Sequence, residues 1–219
     1  MLSLNLKLAA AAVPILLWLS ITGSNAQNSE RARQSLSAMA GTMSVDAETE
    51  MSSASVTGCH FMFTAVAQDL IYRQGGYIGV SGNVGVRRAN NNFGIDLKVV
   101  VFDIDSSKSS FVLKPSAPSR AYLVGQDFQT NLSSLISTVP SDTPGALVSL
   151  FQFHPSFGII MNGIGRGKIT IAFNRDGGDQ DIRLPLELDV KSVSDSGQRQ
   201  RSDEAVRSFR RCIKTMMPQ

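Results

Sequence analysis

Histidine, cysteine, tyrosine and tryptophan are the scarce residues of this 219-residue chain, with two, two, three and one copies. A Ser-His-acid hydrolase would have to use His60 or His154. No Gly-x-Ser-x-Gly elbow occurs to present its nucleophile. His60, His154, Cys59 and Cys212 could supply four zinc ligands, but they are not clustered at finger spacing. Charge is also sparse, at 18% of residues with a formal net charge of +3. Such a balance gives no strong overall attraction to nucleic acid, and the 42% hydrophobic content is too high for a chain disordered throughout. Heptads and a collagen period are missing. Long apolar runs are missing too, with one exception at the N-terminus.

That exception, Leu8 to Ile21, follows Lys7 and precedes the small-residue site Ser24-Asn25-Ala26. Its layout is that of a secretory signal peptide, and its core falls short of the roughly 20 residues a spanning helix needs. Cleavage after Ala26 is the expectation, with residues 1–26 removed. Export favours a bond between Cys59 and Cys212, because an oxidising compartment pairs two available thiols. Closing so long a loop is worth about 5 kcal/mol in the chain-entropy model.

Residues 27–57 are rich in Ser, Ala, Thr, Met and Glu and show no continuous apolar face, so they read as a flexible leader in which Ser29 to Met39 could form a short, transient helix. Residues 58–219 read as a single β-rich domain. The strongest strand is Phe93 to Ile104, where Phe93, Ile95, Leu97, Val99 and Val101 share a face by period two. Tyr77 to Arg88, with Gly79, Gly82 and Gly85, reads as a bulged strand or strand pair. Gln126 to Thr138 has Phe128, Leu132, Leu135 and Ile136 spaced for a short helix. A strand from Ala146 is followed by a short helix through Ile160 to Ile164. Lys168 to Phe173 and Ile182 to Val190 alternate cleanly and form a hairpin, with Pro185 marking an edge. After a polar linker, Ser192 to Gln200, a helix over about 203–216 carries Val206, Phe209, Ile213 and Met216 on one stripe, beside Cys212. The expected fold is mainly β, an antiparallel sandwich or rolled sheet with this C-terminal helix and one or two short helices.

Chemical motifs are thin. Asp103-Ile104-Asp105 begins like a calcium loop but lacks its glycine and closing Glu. Asp176, Asp179 and Asp181 form a second acidic group in a hairpin loop, a weak metal candidate beside the ordinary use of Asp in turns. Gly163-Ile-Gly165-Arg-Gly167-Lys168 has the wrong spacing for a phosphate loop. No cofactor is expected. Arg207, Arg210, Arg211 and Lys214 concentrate positive charge on the last helix, which is either a solvated face or a contact surface for lipid headgroups or an acidic partner.

The stretch Gly165-Arg-Gly-Lys168-Ile-Thr-Ile-Ala-Phe173, followed by Leu184-Pro-Leu186-Glu-Leu188, resembles the layout of the invasion-associated locus B family of exported proteobacterial proteins. The resemblance covers about residues 145 to 190. It implies a β-rich domain in the periplasm or on the surface of a Gram-negative bacterium, with a role in host-cell contact and no catalytic residues to carry over. The expected function is therefore an exported envelope binding or interaction protein without catalytic activity, with an unknown protein or envelope partner. A secreted hydrolase using His60 or His154 and a structural envelope component are the alternatives.

Overall fold

The computed structural model describes residues 30–89, 92–105, 112–126, 129–175 and 177–217. The signal-peptide reading and Asp176 lie outside them. The fold is mainly β and antiparallel, as the alternating segments predict. A large sheet runs in the order β1 (Gly41–Ser52), β2 (Ser55–Asp69), β3 (Gly76–Ala89), β4 (Asn92–Asp105), β8 (Ala146–Gln152) and β7 (Leu135–Pro140), with β5 (Val112–Pro115) paired to the end of β4. A second sheet runs β10 (Ile182–Glu187), β9 (Lys168–Phe173) and β6 (Ala121–Val124). A hairpin joins β11 (Val190–Val193) to β12 (Arg199–Arg201). Helix α1 covers residues 30–39, α2 is Phe153–Gly165 and α3 is Glu204–Met216.

One face of the large sheet carries the main core. Phe61, Phe63 and Ala65 of β2 align with Val84, Gly82 and Val80 of β3, and these with Leu97, Val99 and Val101 of β4. The apolar members pack against Leu123, Ile171, Phe173, Leu184 and Leu186 of the small sheet and against Ile160 and Phe209 of the helices. Each large apolar side chain buried there contributes roughly 1.5–3 kcal/mol. The opposite face carries a smaller cluster in which Leu36 of α1 meets Val66 and Tyr77, with Met39 and Met43 beside them.

Glycine lets the central strands approach closely. Gly82 has φ +155°, and a Cβ there would stand 1.8 Å from the Lys98 carbonyl oxygen. At Gly85 a Cβ would lie 2.1 Å from the Cys59 carbonyl oxygen and 2.5 Å from the His60 ring. The glycine series thus belongs to a single 14-residue strand rather than to a strand pair.

Several segments differ from the sequence expectation. The supposed leader is structured from residue 30 onward, as α1 and as a β1 that pairs along β2 from Gly41↔Val66 to Ser52↔Ser55. Only Thr42 and Val45 of β1 are buried, so pairing rather than an apolar pattern makes it a strand. Among the described residues, the helix expected over Gln126 to Thr138 gives way to a 3-10 turn, Leu132–Ser134, and then to β7. The buried Asn131 diverts the chain there. Its side-chain oxygen accepts from the Leu123 amide at 2.8 Å, and its side-chain nitrogen donates to Ser156 Oγ at 3.1 Å. The strand expected to run on to Val190 ends at Glu187, and the polar linker forms the β11–β12 hairpin. Pro185 does sit on an edge strand, β10, opposite Thr170.

Candidate functional site

Helix α3 presents two adjacent stripes. Ala205, Phe209, Cys212 and Met216 are buried, at the spacing an amphipathic helix requires. Phe209 stacks on Phe61 of β2 with ring centroids 4.2 Å apart. Cys212 is bonded to Cys59 of β2 across a sequence separation of 153, which ties the helix to the large sheet. The expected crosslink is therefore present. Ser202 Oγ accepts from the Glu204 amide at 3.2 Å at the helix start.

The neighbouring stripe, Arg210, Ile213, Lys214 and Met217, faces helix α2. That helix buries Ile159, Ile160 and Ile164 and turns Phe157 and Met161 sideways. Phe153 and Phe157 stack at 4.7 Å, and Phe153 meets Phe93 of β4 at 5.8 Å, so this wall is braced on the large sheet. Between the helices lies an open trough of about 710 Å³, lined by Phe157, Met161, Ile213 and Met217 and by the exposed Arg210 and Lys214, over the buried Phe209. Its volume falls in the roughly 300–1,000 Å³ range of small-molecule sites.

The cations of α3 are not equivalent. Arg207 pairs with Asp203 and Arg211 acts electrostatically on Glu204, whereas Arg210 and Lys214 form no ion pair among the described residues. Arg210 and Lys214 lie one helical turn apart, where like charges repel by a few tenths of a kcal/mol. Elsewhere on this flank the cations are matched. Lys191 meets Glu204, and Arg201 meets both Glu187 and Asp189. Those carboxylates, through hydrogen bonds first, raise the pKa of Lys191 and of Arg201.

The other residues singled out in the sequence are engaged elsewhere. His60 is 1% exposed on the face of the large sheet turned away from the main core. Its Nε2 lies 2.9 Å from Asp96 Oδ1, its Nδ1 3.9 Å from Glu50 Oε1, and Arg87 bridges those two carboxylates. This imidazole is a cross-strand tie among β1, β2, β3 and β4, with no open side for a substrate. His154 is exposed and lines a shallow recess with Gln126, Gln129, Thr130 and Asn162. No acidic side chain among the described residues lines that recess to orient it.

Asp181 gives one carboxylate oxygen to Arg120, at 2.8 Å, and the other to the Tyr122 hydroxyl, at 2.7 Å. Arg120 also donates to the Asp179 carbonyl at 3.0 Å. Burial first, and the bond to Asp181 second, push the Tyr122 phenol above its ordinary pKa. Asp103 is occupied by Arg73 and by Arg175, and the buried Arg175 also pairs with the buried Asp69. Among the described residues no group of three or more His, Cys, Asp or Glu gathers where it could hold a metal ion. Asn131, part of an Asn-Leu-Ser sequon, is fully buried. Gly163 and Gly165 close α2 ahead of β9, as a helix stop would.

Sequence reasoning finds the cations that line the trough but not its α2 side. The signal available is the series Phe153, Phe157, Met161 at i, i+4, i+8, offset from the buried isoleucines. Among the described residues no helix is long and apolar enough to cross a membrane. No family model, curated protein or solved structure matches the chain.

Proposed function

We propose that this is an exported envelope protein of a Gram-negative bacterium whose task is binding rather than catalysis, and that the α2–α3 trough takes an anionic amphiphile. The reading rests on one observation: two exposed cations without ion-pair partners among the described residues line a trough together with Phe157, Met161, Ile213 and Met217. An acyl chain would cover Phe157, Met161, Ile213 and Met217, and a carboxylate or phosphate would accept charge-assisted hydrogen bonds from Arg210 and Lys214. The groups facing the trough offer apolar contact and fixed positive charge, which is a recognition set. The disulfide supports the exported compartment, since such bonds persist where the environment oxidises thiols.

Titration calorimetry with dodecanoate tests the assignment. Saturable one-to-one binding is expected, weakened about tenfold by Arg210→Ala or Lys214→Ala and more by the pair. Met161→Asp should abolish it by placing a carboxylate beside the acyl chain. Wild-type protein that takes up no dodecanoate, or variants that bind it equally well, would refute the reading. Protein from the native cells that begins at Gln27 would support export, and retention of Met1 would count against it.

A further inference from the structure

The trough does not end at Arg210. A second open recess, of about 460 Å³, is lined by Glu204, Arg207, Arg210 and Arg211. Arg210 therefore borders two hollows, sharing the trough with Lys214 and the recess with Arg207 and Arg211. The four cations form a closed quartet on the helix surface. Arg207 and Arg211, like Arg210 and Lys214, are four residues apart. Arg207 and Arg210, like Arg211 and Lys214, are three apart, so each cation has two like-charged neighbours. All four are exposed. The carboxylates nearby do not balance them. Asp203 pairs with Arg207 with both side chains largely in solvent, an arrangement worth little against a competing ligand. Glu204 is held by Lys191 at 3.0 Å. That hydrogen bond first, and the charges of Arg207 and Arg211 after it, lower the Glu204 pKa, as a positive field would.

We infer that the headgroup of the bound amphiphile is a phosphate monoester, with two negative charges rather than one, which rests on the trough's taking an anionic amphiphile. A lone carboxylate set between Arg210 and Lys214 would leave the charge of Arg207 and Arg211 in the recess uncompensated by the ligand. A phosphate monoester carries a charge of about −1.5 to −2 near neutral pH and has three terminal oxygens. It can accept from Arg210 and Lys214 on one side and from Arg211 on the other, while its fourth oxygen leads the alkyl chain into the trough. The composition of the quartet favours this group. Three of its four members are arginine, whose planar fork matches phosphate oxygens two at a time and stays charged at every working pH. Two negative charges also relieve the mutual repulsion of the quartet more fully than one.

Calorimetric titration of the mature protein with dodecyl phosphate and with dodecyl methyl phosphate tests the headgroup. Each is used below its micelle concentration and at about pH 8, where the monoester has lost its second proton. The two ligands share a chain and a phosphorus centre and differ by one negative charge. The monoester should bind about tenfold more tightly than the diester. Arg207→Ala with Arg211→Ala, at exposed positions where alanine keeps the helix, should bring the ratio of the two affinities to about one. Inorganic phosphate should bind about a hundredfold more weakly than dodecyl phosphate, because it leaves the trough empty. Equal affinities for the two esters, in a protein that still binds dodecanoate one-to-one, would overturn the dianionic headgroup and leave the assignment of the trough standing. A protein that binds none of the three amphiphiles would overturn both. A preference for the monoester that survives the double variant would overturn the part given to the second recess. Inorganic phosphate bound as tightly as dodecyl phosphate would assign the arginines to a free anion and overturn the lipid.

Discussion

The large sheet begins and ends on strands of opposite character, and their treatment is the reverse of what their polarity suggests. β1 is mostly polar, yet it is sealed. Arg199 donates to the Ala40 carbonyl at 2.6 Å, and Thr42 Oγ1 accepts from the Glu187 amide at 2.9 Å while donating to the Pro185 carbonyl at 3.4 Å. The β11–β12 hairpin, β10 and α3 lie against it. β7 is richer in aliphatic residues and stands bare. The side of the molecule that is covered is decided by where later segments of the chain return, and the Cys59–Cys212 bond brings the last helix back to the β1–β2 end. The sealed flank therefore carries stability together with the trough, whereas the side chains of the open flank add little to it.

Changes on the two flanks should separate these roles. The largest effect is expected from Cys59→Ala with Cys212→Ala, which frees α3 from β2. Urea unfolding should show a loss of about 3–5 kcal/mol and weaker dodecanoate binding, since one trough wall loses its tether. A loss below about 1 kcal/mol would mean that packing of Phe209 on Phe61 alone holds the flank. Next comes Arg175→Ala, between the flanks. It leaves the fully buried Asp69 without its cation, at a cost of about 3–5 kcal/mol in the same unfolding assay. Arg175→Met with Asp69→Asn should recover part of that loss, because the amide oxygen still accepts from the Ile71 and Tyr72 amides without a buried charge. Val139→Glu on the open flank should change stability by no more than about 0.5 kcal/mol in the same unfolding assay, because the side chain it replaces is 54% exposed. The smallest effect concerns Tyr122. Its pKa is raised on folding, so its contribution to stability is complete below the ordinary tyrosine value of about 10 and is lost as pH rises through the folded value. Ultraviolet titration should show one tyrosine ionising late, and Tyr122→Phe should remove that late step.

The same contrast explains what can be read from sequence. β4, β9, β10 and α3 are legible because each carries an apolar set at its own period, so Ile95-Leu97-Val99-Val101 or Phe209-Cys212-Met216 declares it. β1 is not, because its strand character comes from backbone pairing along β2 while most of its side chains remain outside the core. β7 misleads because Leu132, Leu135 and Ile136 fit a helical stripe, and the diversion by Asn131 depends on Ser156, which lies 25 residues away. For the site, the cations of α3 are visible, but the trough is not a property of either helix. It exists because α2 and α3 are brought side by side, and no local pattern in either helix encodes that meeting.

The most direct test of amphiphile binding compares two ligands with the same acyl length and opposite headgroup charge. In calorimetric titrations of the mature protein, dodecanoate should bind saturably at one site and dodecyltrimethylammonium should not, because Arg210 and Lys214 repel it. Equal uptake of both ligands, or uptake of neither, would contradict a trough selected for anionic amphiphiles.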